Sequence, residues 1–202
     1  MQLKYMARAL KISIALIAWL AIIIQFWLII ENRVASIPET ITRYFSYFTI
    51  LTNMMVAIFF TKEIFKPSHI SLITAVTVYI TVVGLVYQVL LRNLWQPTGL
   101  QKLADELLHT IIPLLVLVYW LFYKKKEMLK YSDVLRWLIY PLIYLMCVLI
   151  RGNASNFYPY PFVNVSELGL QKVLINSFFL LIGFMVLSAV FIKIDKALIK
   201  KA

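Results

Sequence analysis

Hydrophobic residues occur along this chain in six long runs that short polar stretches separate. The runs within residues 12–30, 44–61 and 70–91 contain no charged side chain. The fourth run contains His109 and the last contains Asn176 as its one strongly polar residue. Because a helix needs roughly 20 apolar residues to cross the hydrocarbon core of a bilayer, each run predicts a transmembrane helix.

We therefore predict an all-α fold, an integral membrane bundle of six transmembrane helices that forms one domain over residues 1–202. The fifth run has only about 14 apolar residues, and it reaches the required length if Arg136 snorkels and the helix begins near Val134. The predicted spans cover approximately residues 10–31, 44–61, 70–91, 106–123, 134–151 and 171–192.

Composition supports lipid as the solvent of this chain. Hydrophobic residues make up 62% of the 202 residues and charged residues only 14%, whereas a soluble domain is nearer half apolar and a quarter charged. Basic residues before the first run resemble the start of a signal peptide. That run is longer than the apolar region of a signal peptide, and no small-residue cleavage site ends it, so we expect it to be retained as a span.

The net charge of +11 is distributed unevenly between the two sides of the predicted bundle. Most Lys and Arg residues fall at the two termini, after the second span and after the fourth span. By the positive-inside rule, both termini are predicted to be cytoplasmic. These charges lie in loops beside anionic headgroups, so we do not expect nucleic-acid binding.

Strongly polar residues are rare inside the predicted spans and concentrate toward their outer halves. A polar group inside the hydrocarbon core is costly, so such positions mark functional candidates. The inner halves are expected to hold only hydroxyl groups, such as those of Thr74 and Ser188. The candidate pocket residues are Ser46, Thr49, Asn53, Gln88, Arg92, Asp105, His109, Arg151 and Asn176.

Helical spacing groups these candidates on shared faces. Ser46, Thr49 and Asn53 are spaced by three and four residues, while Gln88 and Arg92, like Asp105 and His109, are spaced by four. Pro113 cannot donate to the carbonyl of His109 and favours a kink there.

Thr49 and His109 lie at similar predicted depths, an arrangement typical of a nucleophile and its general base. Asp105 is placed to hold the imidazole tautomer, and Arg92, Arg151 or Asn53 to stabilise an oxyanion or anchor a fatty carboxylate.

Each of these residues also has a structural interpretation. A threonine in a membrane helix usually bonds its own backbone, and a buried histidine often packs against a polar neighbour. Arginines at helix ends snorkel, and an acid in the first helical turn is favoured by the macrodipole. From the residues alone, a non-catalytic lipid or small-molecule binding or transport protein stays open beside an enzyme, as does a scaffold protein.

No cofactor is expected. The two histidines, His69 and His109, fall on opposite sides of the predicted bundle, so no metal site is predicted. No phosphate-binding loop or dinucleotide motif occurs, so no nucleotide partner is predicted.

Three segments resemble the androgen-induced and androgen-dependent multi-pass membrane hydrolases, and most closely their prokaryotic six-transmembrane relatives of unassigned function. The segments are Tyr47–Asn53, His109–Pro113 and Tyr160–Phe162, in this order. The resemblance implies a bacterial cytoplasmic (plasma) membrane protein. It also implies an intramembrane threonine hydrolase that cleaves a lipid ester, such as a fatty-acid ester of a hydroxy fatty acid.

The resemblance assigns roles to particular residues. Thr49 matches the nucleophile, His109 matches the catalytic histidine, and Tyr160 belongs to a segment that would shape the mouth of the pocket. The chain departs from the family at Asn164, where an acid is expected, and at Thr52, which is a rival nucleophile to Thr49. The membrane lipid substrate is not identified further, and no oligomeric partner is predicted.

Overall fold

The computed structural model describes residues 2–94, 96–124 and 128–200, and in these residues the chain is helical without strands. Six of the helices are long and apolar enough to cross a membrane, which confirms the predicted all-α fold with six spans and indicates a multi-pass membrane protein. The cytoplasmic location of both termini stays a prediction. The six helices are α1 (Gln2–Glu31), α3 (Phe48–Phe65), α4 (Ile70–Leu91), α5 (Gly99–Tyr123), α6 (Asp133–Ser155) and α8 (Leu170–Ile199).

Two short helices complete the described chain, α2 (Ile37–Tyr44) and α7 (Val165–Leu168). The predicted start of the second span at residue 44 was wrong, because α2 ends there and a turn over residues 45–47 precedes α3. The chain also divides into two compact units, Met1–Lys125 and Lys126–Ala202. The single domain over residues 1–202 stays a prediction.

The first unit is organised around the packing of α1 on α3. Ala18 and Ala21 of α1 and Val56 and Ala57 of α3 are fully buried. Small side chains let two helix backbones approach closely inside a membrane, where apolar burial alone does not favour association. α4 packs in turn against both α3 and α5, which brings four helices into one bundle.

The long helices of the first unit contain three π-helical turns. Arg92 N–H donates to the Tyr87 carbonyl at 2.8 Å at the end of α4, and Lys124 N–H donates to the Tyr119 carbonyl at 3.1 Å at the end of α5. The third turn covers Leu107–Ile111, and Pro113 follows it after one residue. Such turns are frequent at functional sites.

Gly84 permits a close approach of α4 to α5 beside the third π-helical turn. A Cβ atom at this position would lie 3.2 Å from the His109 carbonyl oxygen and 3.3 Å from Pro113 Cβ. A larger residue would therefore push the helices apart at the histidine.

A buried ion pair lies at the C-terminal end of α3, which continues past the predicted end of the second span. Glu63 is 1% exposed, and its Oε1 lies 2.9 Å from Lys124 Nζ, while Ser68 N–H donates to its Oε2 at 2.7 Å. Lys11 Nζ donates to the Glu63 carbonyl oxygen at 2.8 Å. The predicted span ended at residue 61, so this buried carboxylate lies just past the segment in which only hydroxyl groups were expected.

The second unit has a core around Val148, Val163 and Val173, against which several aromatic residues pack. α6 ends at Ser155, and the next residue, Asn156, adopts a left-handed conformation (φ 52°). The ring of Tyr158 then folds back on Gly152, where a Cβ atom would lie 2.0 Å from it.

Candidate functional site

His109 is held by a carboxylate inside the first unit. Its Nδ1 lies 3.1 Å from Asp105 Oδ1 and 2.9 Å from the Asp105 carbonyl oxygen. Because both partners are acceptors, we assign the hydrogen of a neutral imidazole to Nδ1, which leaves the lone pair on Nε2. The contact that the four-residue spacing predicted is present, and both side chains are largely buried, at 14% and 7% exposure.

Tyr87 braces this pair from α4, and the sequence interpretation missed it. Its hydroxyl donates to Asp105 Oδ2, and its ring stacks on the imidazole with centroids 4.1 Å apart and an angle of 12°. The tyrosine is 4% exposed. It therefore restrains both the carboxylate and the plane of the histidine ring.

Four further side chains form a closed hydrogen-bonded ring between α4 and α5. Arg92 pairs with Glu106 Oε1 through Nη2 and donates to Gln88 Oε1 through Nη1 at 2.7 Å. Gln88 Nε2 donates to Thr110 Oγ1 at 2.9 Å, and Thr110 donates to Glu106 Oε2 at 2.8 Å. Gln88 and Arg92 were predicted candidates, whereas Glu106 and Thr110 were not.

Asn53 connects Thr49 to the histidine segment. Its Nδ2 donates to the Thr49 carbonyl at 2.9 Å and to the Leu108 carbonyl at 3.2 Å. One side chain thus links the backbone of α3 at Thr49 to the residue just before His109. Because this amide already donates twice, Asn53 is better suited to positioning than to binding an oxyanion.

The two candidate nucleophiles are both buried on α3. Thr49 is 8% exposed and Thr52 is fully buried. The Asn53 amide contacts the backbone of Thr49. In the described residues, Asn53 Oδ1 has no hydrogen-bond partner, although Asn53 is fully buried.

Ser46 lies in the turn before α3, so the three-and-four spacing does not put it on a helix face with Thr49 and Asn53. Its hydroxyl donates to the Thr42 carbonyl at 2.7 Å. Burial raises the pKa of the neighbouring Tyr47 phenol, and Arg43 opposes that rise. Tyr47 is therefore a neutral phenol at the entrance to α3.

The remaining candidates, Arg151, Tyr160 and Asn176, belong to the second unit. The Arg151 guanidinium lies 5.0 Å from the centroid of the Phe157 ring. The rings of Tyr160 and Phe162 stack at 5.2 Å, and Asn176 Nδ2 donates to the Phe162 carbonyl at 3.0 Å. These contacts give Tyr160 and Asn176 a local role in holding the turn at Pro161–Val163.

Neither a metal site nor a similar protein of known function helps to assign a role to these residues. Within the part of the chain that the structure describes, no group of three His, Cys, Asp or Glu residues could hold a metal ion. No family model matches the chain, and neither a curated protein nor a solved structure matches it. The fold and site define a multi-pass helical membrane protein with a buried histidine–carboxylate pair, and membership of the hydrolase family stays a prediction.

Proposed function

We propose that this protein is an intramembrane threonine hydrolase that cleaves a lipid ester, such as a fatty-acid ester of a hydroxy fatty acid. The observation that carries the proposal is the contact of His109 Nδ1 with Asp105 inside a membrane-spanning helix. An ionisable pair is expensive at such a position and is a functional candidate for that reason. The Nδ1–H tautomer leaves Nε2 to act as a general base.

In the proposed mechanism, the Thr49 hydroxyl oxygen attacks the acyl carbon while His109 Nε2 takes the hydroxyl proton. The tetrahedral intermediate collapses by breaking the bond to the leaving alcohol, which receives that proton from His109. A water molecule then attacks the acyl-threonine ester and gives a proton to His109. Release of the fatty acid returns this proton to the Thr49 oxygen and restores the starting state.

Asp105 and Tyr87 act as positioning residues in this scheme. The Asp105 carboxylate stabilises the imidazolium that forms in each half-reaction, as the carboxylate of a hydrolase triad does. Tyr87 fixes the second oxygen of Asp105 and the plane of the ring. Both effects favour a histidine that is already oriented before the substrate arrives.

The test is covalent labelling of the detergent-solubilised protein with a fluorophosphonate probe. We expect Thr49→Ala and His109→Ala to abolish labelling. Thr52→Ala is the matched control, because it makes the same change three residues further along α3, and it should keep labelling. The folded state of each variant is checked by its size-exclusion profile.

Hydrolysis of an isotope-labelled lipid ester by the same variants completes the test. Loss of acid release in step with loss of labelling supports the hydrolase. A folded wild-type protein that neither labels nor releases acid, but still binds the ester, would instead support the binding or transport alternative.

A further inference from the structure

Two carboxylates and one guanidinium lie beside His109, and their balance bears on which esters the site accepts. Asp105 contacts the imidazole directly, and Glu106 pairs with Arg92 one turn away. When the imidazole is neutral, as a general base has to be, these groups carry one negative charge in excess. Part of this charge is buried, so solvent screens it less than it screens a surface charge.

Arg92 is the obvious anchor for a substrate carboxylate, but its guanidinium already binds Glu106 and Gln88. The second oxygen of Glu106 accepts from Thr110, so the ring of four side chains is closed. A substrate carboxylate that binds Arg92 therefore has to share the guanidinium with the Glu106 carboxylate, which already neutralises its charge. Lys102 lies one turn before Glu106 on α5 and is exposed, as is the Arg92 side chain at 43%, so solvent screens both cations more than it screens the buried carboxylate of Asp105.

The ring is also physically continuous with the histidine. The Arg92 guanidinium carbon lies 5.7 Å from the centroid of Tyr87, the same ring that stacks on His109. Thr110 of the ring directly follows His109 in the chain. The charges of Arg92 and Glu106 therefore act on any group that approaches the imidazole.

We propose that these charges make the site select lipid esters without a negative charge close to the scissile bond, and that Glu106 sets this specificity. The inference rests on the proposed hydrolase function and narrows its substrate class. A carboxylate placed within several ångströms of an excess negative charge is disfavoured by about tenfold or more at the effective dielectric of a protein. Neutral acyl esters escape this repulsion.

The experiment compares two esters that differ in one charge. One is the palmitoyl ester of 3-hydroxydodecanoic acid, and the other is the same molecule with its carboxyl group capped as a carboxamide. Release of isotope-labelled palmitate is measured at about pH 8, well above the ordinary pKa of a carboxyl group. We expect kcat/KM of the wild-type protein to favour the carboxamide by about tenfold or more.

Two variants of opposite sign test the assignment to these charges. Glu106→Gln removes the excess charge and releases Arg92, so the preference should fall by about tenfold. Arg92→Gln removes the cation, so the preference should rise. Glu39→Gln is the matched control, because Glu39 pairs with Arg43 at 2.8 Å within α2, outside the ring, and the preference should not change.

Binding of the matching ether analogues, which cannot be hydrolysed, separates this inference from the hydrolase proposal. Hydrolysis without discrimination, or a preference that Glu106→Gln leaves unchanged, overturns the inference alone. Another outcome is that the protein binds the two ethers with different affinities, with Glu106→Gln and Arg92→Gln changing that difference as expected, and yet hydrolyses neither ester. This result supports the charge selection and overturns the hydrolase proposal.

Discussion

The first unit contains two buried polar clusters, and they are built differently. The Glu63 cluster at the C-terminal end of α3 joins α1, α3, α5 and the α3–α4 loop through an ion pair whose acceptors are all used. The His109 cluster lies near the N-terminal end of α3 and is formed by Tyr87 of α4 and by Asp105 and His109 of α5. Asp105 contacts Nδ1 of the His109 ring and not Nε2. The His109 cluster also borders Asn53 Oδ1, which has no hydrogen-bond partner in the part of the chain that the structure describes.

This difference separates a structural polar cluster from a candidate site. In the Glu63 cluster, Glu63 and Lys124 neutralise each other, and the backbone carbonyls of Glu63 and Ser68 accept from Lys11 and Lys124. Such an arrangement fixes helix ends and engages the carboxylate fully, although the buried Ser68 Oγ has no hydrogen-bond partner among the described residues. In the His109 cluster, the contacts orient one basic nitrogen, which is what proton transfer requires.

The largest expected effect comes from breaking the Glu63 cluster. Lys124→Leu leaves the carboxylate of Glu63 buried without its ion partner, and it should lower the free energy of unfolding by about 3–5 kcal/mol. His109→Leu should lower it by less, about 1–2 kcal/mol, because the buried Asp105 carboxylate loses the imidazole N–H but keeps the hydrogen bond from Tyr87. The measurement is denaturant unfolding in detergent, followed by tryptophan fluorescence.

The double variant Glu63→Leu/Lys124→Leu is the control, since it removes both charges and should recover most of the lost stability. Equal destabilisation by Lys124→Leu and His109→Leu would contradict the distinction between the two clusters.

Asp105→Asn tests the His109 cluster by removing the charge with little change of shape. We expect ester hydrolysis to slow by about 100-fold or more, because the imidazolium loses its partner and the tautomer is no longer fixed. Asp133→Asn in the second unit, where Asp133 Oδ2 accepts from Lys130 N–H at 3.0 Å, should leave the rate unchanged. A rate that survives Asp105→Asn would remove the carboxylate from the mechanism.

Tyr87→Phe separates the hydroxyl of the tyrosine from its stacked ring. The variant keeps the ring on His109 but loses the hydrogen bond to Asp105, and kcat should fall by about tenfold. KM should stay the same, because Tyr87 acts through Asp105 and not on the substrate. A change confined to KM would instead place the hydroxyl in contact with the substrate.

The smallest predicted effect concerns the approach of α4 to α5. Gly84→Ala puts a methyl group 3.2 Å from the His109 carbonyl oxygen and should lower stability by about 1 kcal/mol. Gly183→Ala is the matched control, since nothing lies within 4 Å of an added Cβ there. Thermal unfolding of both variants measures the difference, and equal effects would mean that α4 and α5 can separate freely at His109.

The six spans could be predicted from the sequence because the length of an apolar run is a local property. The contact between Asp105 and His109 could also be predicted, since both residues lie on one helix. The ends of α3 could not, because the turn before Phe48 depends on α2. Glu63 lies past the apolar run, and its buried ion pair with Lys124 could not be predicted, because the two residues are far apart in the sequence.

Partners on different helices were the larger gap. Tyr87 was indistinguishable from the other aromatic residues at span ends, and its contact with Asp105 depends on how α4 packs on α5. Arg92 was predicted as a candidate anchor for a fatty carboxylate. Its pairing with Glu106 could not be foreseen, because that contact depends on how α4 and α5 are aligned. The role of Thr49 as a nucleophile stays a prediction.

The π-helical turn at Leu107–Ile111 has a consequence for how this site can be gained or lost. Such a turn is equivalent to one residue inserted into an α-helix. Five residues of this wide turn cover nearly the same rotation as four residues of a regular α-helix, so deletion of Ile111 would restore the regular helix and leave Asp105 in nearly its present orientation relative to the rest of α5. The change would be confined to the residues of the turn, among them His109. A single-residue deletion would therefore alter how the histidine meets Asp105 and Tyr87 while every side chain of the site is kept. In an alignment of relatives, a one-position gap before this proline would distinguish the wide turn from a regular one better than the presence of the histidine itself.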